Sequence, residues 1–145
     1  MTHAEHNPTA YAAAVWALVF AVFHIIWATG WYVGLDEPSA RVAFARRGTL
    51  IYDLVVAGMC VFAVPVALAL TMAWGRRVPR RLVAFCAWTG TVLLVLRAGA
   101  SLIQVAYFIV TRPQFRLTEI GKWELWFYLG AALFTISTWR FSRSS

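Results

Sequence analysis

Between Leu82 and Thr111 the chain carries one charged residue, Arg97. A bilayer's hydrocarbon core is about 30 Å thick and takes around 20 helical residues to cross, so this run is long enough to span it. Three further apolar blocks have the same property. The four spans fall at about 11–35, 49–74, 82–111 and 123–141. Hydrophobic residues make up 61% of the chain and charged residues 13%, against about 45–50% and roughly 25% in a soluble domain. The blocks leave nothing over for a soluble domain. The expected fold is all-α: a polytopic membrane protein, a four-transmembrane-helix bundle made by a single membrane domain over 1–145.

The net charge of +7 would suggest nucleic acid in a soluble protein. Here the basic residues sit between apolar blocks, where anionic lipid headgroups meet them, so the expected partner is the lipid bilayer and no nucleic acid. Residues 75–81 form a tight turn with Arg76, Arg77, Arg80, Arg81 and no acid. That concentration places this second loop and both termini in the cytoplasm, with the protein in the plasma membrane. Residues 1–10 hold no Lys or Arg, unlike the basic start of a signal peptide, so the first block reads as a retained span. His3 and His6 in this tail read as solvated and idle. Cys60 and Cys86 form no C-x-x-C and no zinc spacing. No metal and no cofactor is implied.

Along the first span Trp16, Phe20, His24, Trp27 and Trp31 recur on one helical face. In the first loop, Asp36 and Glu37 before Pro38 start a short amphipathic helix at headgroup level that Gly48 would end. Pro65 lies inside the second span and predicts a kink. Pro113 disfavours helix at the residue before it, in the third loop, which also carries Arg116 and Glu119. Trp31, Trp123 and Trp126 fall at one membrane face. Trp16, Trp74 and Trp139 fall at or near the other, as an interfacial belt requires.

Buried polar groups in hydrocarbon need partners. At about 1.5 Å rise per residue, His24 and Arg97 lie roughly 15–20 Å from the face of loops one and three, near the bilayer middle. Asp53 lies within about 6 Å of that face, Glu124 nearer still, and Gln104 around 10 Å in. All therefore point into one half of the membrane. The expectation is a ligand pocket with its floor at His24 and Arg97, walls of Trp27, Ser101 and Gln104, and Asp53 and Glu124 at its mouth. Arg97 needs an acid or a bound anion, since a lone charge at mid-depth costs about 2.5–3.5 kcal/mol, and Asp53 is the expected partner. The same residues also read as structural: an Arg97–Asp53 ion pair locking helix packing, His24 as an interhelical hydrogen bond, and Asp53 and Glu124 as headgroup-level side chains in water.

Several classes are set aside. His24 is alone inside the membrane, which argues against a bis-histidine haem. Cys60 and Cys86 lie at unmatched depths for a bridge. A four-span multidrug exporter calls for an acid in the first span, where His24 stands. The segments His24-Ile-Ile-Trp27-Ala-Thr-Gly30, Leu96-Arg97-Ala98 and Trp123-Glu124-Leu-Trp126-Phe-Tyr-Leu-Gly130 resemble those of a bacterial family of small four-span membrane proteins, a domain of unknown function. The chain departs from common members at Gly30-Trp31, where they carry Gly-Gly. The resemblance implies four helices in the plasma membrane and no activity.

Three functions follow. One is binding of a small polar or anionic ligand in the half-membrane pocket, for transport or sensing. The second is a membrane-embedded enzyme using His24 with Asp53 or Glu124 as acid and base on a lipophilic substrate. The third is a structural or assembly subunit. Gly58, Gly90 and Gly99 leave room for packing against a second copy, a homo-oligomer.

Overall fold

A computed structural model describes residues 7–112 and 121–144. The tail with His3, Glu5 and His6, and the third loop with Pro113, Arg116 and Glu119, lie outside the described residues. The chain is all-α: α1 Pro8–Ala28, α2 Glu37–Phe44, α3 Arg47–Ala69, a 3-10 helix Ala73–Arg77, α4 Arg80–Thr111 and α5 Lys122–Arg143. Three helices, α1, α3 and α4, are long and apolar enough to cross a membrane. At 22 residues α5 matches α1 and α3 in length, but its charged residues and its Trp, Tyr, Ser and Thr content make it less apolar.

The first span ends earlier than its apolarity suggests. Gly30 has φ +92°, and its N–H donates to the Trp27 carbonyl while the Trp31 N–H reaches the Ile26 carbonyl. This is the paired bonding of a glycine-terminated helix end. α1 therefore stops at Ala28, and residues 29–35 run as turns despite Trp31, Tyr32 and Val33.

α2 begins where Asp36, Glu37 and Pro38 predict: the Asp36 carboxylate accepts the Ser39 N–H at 3.2 Å. The Ser39 side chain and its backbone N–H together hold the Asp36 carboxyl below the usual carboxylate range. Gly48 does not end this helix. The break falls at Ala45–Arg46, where Arg46 turns extended and caps α3, and Gly48 lies in the first turn of α3. α3 runs on through Pro65. The basic turn is also more ordered than a loop, being split between the 3-10 helix and the start of α4 at Arg80.

The long helices form a ring in the order α1, α3, α4, α5, with α3–α4 the loosest seam. α1 is its central element. Ala10, Ala13, Ala14, Ala17 and Ala21 are buried, and such small residues let helices approach in lipid, where there is no hydrophobic drive between them. Trp16 crosses to α5: its Nε1–H donates to the Trp126 carbonyl at 2.9 Å. Its ring lies so close over Gly130 that a Cβ there would sit 2.3 Å from a ring carbon.

A seam of small polar side chains ties the far half. The Thr91 and Thr138 hydroxyls are 3.1 Å apart, the Ser137 hydroxyl donates to Thr9, and Asn7 Nδ2 donates to the Ser137 carbonyl. The outer faces of α3 and α4 expose Ile51, Leu54, Phe62, Leu96, Ile103 and Val110, as suits contact with lipid rather than water.

Candidate functional site

His24 stands one turn from the end of α1, on its buried face. Because α1 ends at Ala28, His24 is about 6 Å from the helix end rather than at mid-depth. Asp53 is six residues into α3 and faces α1. The two meet at 2.6 Å, His24 Nδ1 to Asp53 Oδ1, and are 6% and 2% exposed. An ionised carboxylate only accepts, so this contact then puts a proton on Nδ1. Nε2 becomes the free acceptor of a neutral ring or the second donor of an imidazolium. His24 Nε2 and Asp53 Oδ2 are both buried with no hydrogen-bond partner among the described residues.

Arg97 does not pair with Asp53, contrary to expectation. It makes a two-pronged contact with Glu124, NH1 to Oε2 at 3.2 Å and NH2 to Oε1 at 3.0 Å. Its guanidinium lies 4.4 Å over the Phe127 ring. The reason is helix order. α4 lies against α5, whose first turn carries Glu124, whereas Asp53 is turned toward α1 and already held by His24. This second pair is half-buried, with 36% and 27% of the two side chains exposed. Ser101 is buried beside it, its hydroxyl 2.9 Å from the Tyr128 hydroxyl. Tyr52, next to Asp53 in sequence, comes within electrostatic reach of Arg97 across the loose α3–α4 seam.

The seven residues expected to line one pocket therefore divide. His24, Asp53 and Trp27 lie on the α1 side, where Trp27 is buried and its Nε1–H donates to the Val33 carbonyl at 2.9 Å. Arg97, Ser101 and Glu124 lie on the α4–α5 side. Between them stand Phe20, 4.5 Å from the His24 ring and 5.0 Å from Phe127, and Phe127 itself. Gln104 joins neither group. It is exposed, because α4 buries no described residue beyond Ser101. Tyr52 escaped the sequence reading, and Phe127 and Tyr128 entered it only within the segment that opens the fourth span, not as site residues. The signal that could have found the last two is their position in the same first turns of α5 as Glu124.

Chemically, the layer carries little net charge. Arg97 and Glu124 cancel, and the His24–Asp53 pair carries at most one negative charge. An oriented imidazole with one nitrogen held by a carboxylate is suited to hydrogen bonding or proton transfer through the other nitrogen. No group of three or more His, Cys, Asp or Glu side chains among the described residues could hold a metal ion.

The fold and this layer define an all-helical protein with three helices able to cross a membrane and a paired polar layer near one end. The chain belongs to the family described as Protein of unknown function (DUF3995), whose model matches residues 17–134. No curated protein and no solved structure matches it.

Proposed function

We propose that α5 is a fourth span and that the bundle holds a small polar ligand at His24–Asp53, for transport or sensing across the plasma membrane. The observation that carries this reading is the pair of buried atoms, His24 Nε2 and Asp53 Oδ2, that have no hydrogen-bond partner among the described residues. Leaving such groups unpaired costs about 1–3 kcal/mol each, so a hydrogen-bonding guest is favoured there. The low net charge of the layer favours a neutral or hydrogen-donating ligand over an anion, since Glu124 already occupies Arg97. The loose α3–α4 seam beside Tyr52 and Arg97 is the natural entrance.

A second reading rests on the same 2.6 Å contact. Asp53 would orient His24 so that Nε2 acts as acid or base on a lipophilic substrate. Arg97, paired with Glu124 and set apart from His24 by Phe20 and Phe127, has no part in that step.

Native mass spectrometry of the detergent-purified protein tests the binding reading. Wild type should retain a small-molecule mass that Asp53→Asn and His24→Gln both lose while remaining folded. Absence of any retained mass in wild type, with both variants merely less stable, would reduce the pair to a helix clamp.

A further inference from the structure

The opposite end of the bundle carries a cleft of about 1300 Å³ between the 3-10 helix, the start of α4 and the end of α5. Arg76, Arg77, Arg80, Arg140 and Arg143 line it, and no acid does among the described residues. Two of the five are braced by the protein. Arg80 donates to the Phe141 carbonyl at 2.6 Å and lies over the Phe141 ring, and Arg143 lies 4.5 Å over the Trp139 ring. None of the five is in an ion pair among the described residues.

Five like charges around one cleft repel unless an anion joins them. Guanidinium forks match phosphate oxygens in geometry as well as charge. The cleft is larger than the roughly 300–1,000 Å³ of a small-ligand cavity. It opens where the apolar helices end, with exposed Trp139 at its rim, and tryptophan favours the headgroup level.

We propose that this cleft binds a phosphate-bearing anion, presented by an anionic phospholipid whose headgroup enters among the arginines. The chemistry is independent of the His24–Asp53 layer, which lies at the other end of α1 and α3.

The test uses the full-length protein in nanodiscs of phosphatidylcholine with a minority of phosphatidylglycerol, released into native mass spectrometry. Wild type should retain phosphatidylglycerol in preference to phosphatidylcholine. Arg77→Gln with Arg140→Gln should lower that retention about 25-fold, at roughly fivefold per basic side chain near a membrane surface. Arg46→Gln with Arg47→Gln, an equal charge loss at the other end, should leave it unchanged. Arg76→Gln with Arg77→Gln serves as a second cleft variant should the first fold poorly, judged by thermal unfolding. In parallel, inorganic pyrophosphate is titrated against the detergent-solubilised protein. A saturable thermal stabilisation lost only in the cleft variants, without lipid selectivity, would keep the phosphate site but assign it a soluble source. Equal effects of the two variant pairs, or no selectivity and no saturable shift, would overturn the proposal.

Discussion

At the loop-one end, His24 meets Asp53, Arg97 meets Glu124 and Arg41 meets Glu37. At the loop-two end, five arginines share a cleft and meet no carboxylate among the described residues. At the first end two interhelical pairs, His24–Asp53 and Arg97–Glu124, carry their own counter-charges, and the first of them is buried; Arg41–Glu37 is an exposed pair within α2, and Arg46 and Arg47 are in no ion pair among the described residues. At the other end the arginines are exposed and meet no carboxylate among the described residues. The difference separates charge that pairs across helices from charge that no described side chain answers.

The comparison breaks most readily at the buried pair. Asp53→Ala leaves His24 buried beside an empty position. It should cost about 3 kcal/mol, the lower end for breaking a buried pair, read as a large drop in thermal unfolding temperature in detergent. If Asp53→Ala melts like wild type, the pair does not clamp α1 to α3. Gly130→Ala comes next. Its methyl would press into the Trp16 ring, and overpacking of this kind costs about 1–3 kcal/mol. Trp16→Phe in the same chain should recover part of the loss, and failure to recover would mean the α1–α5 contact is not set by that ring.

Arg97→Leu should cost about 1 kcal/mol, because its pair is half in contact with the surroundings and polar contacts between membrane helices are modest. A double-mutant cycle with Glu124→Gln should show the two losses to be non-additive. The smallest effect belongs to the arginine cleft. Arg76→Gln with Arg77→Gln should shift unfolding by no more than about 0.5 kcal/mol. A larger loss of stability would show that these arginines hold the fold itself.

That these side chains share one end of the bundle was legible in the sequence; their rotation around the helices was not, nor was the depth of His24, which lies one turn from the end of α1. Counting residues from the loops put His24, Asp53, Arg97, Ser101 and Glu124 in the same half of the molecule, where they are found. It could not say that Asp53 faces α1 while Arg97 faces α5, because that depends on the order of helices in the ring. Partner choice went astray for that reason alone. Gln104 misled through its spacing. It shares the helical face of Arg97 and Ser101, but α4 buries nothing after Ser101, so the same face meets different surroundings one turn on. The end of α1 was readable from Thr29-Gly30, yet the apolar residues that follow outweighed the glycine. The Thr91–Thr138 seam and its Ser137 neighbour carry no charge to draw notice, although small hydroxyl residues are what membrane helices use where they touch.

The unequal lengths of the helices have a consequence for the lipid itself. At about 1.5 Å per residue, α1 with 21 residues measures roughly 31 Å and α4 with 32 residues roughly 48 Å. The first matches an ordinary hydrocarbon slab standing upright. The second does not, and even a lean of about 40°, the top of the usual range, absorbs only some 39 Å of it. Close to two turns of α4 are left over. As a span, α4 would ask the lipid beside it to thicken or would carry those turns out beyond the slab, whereas α1 would ask for neither.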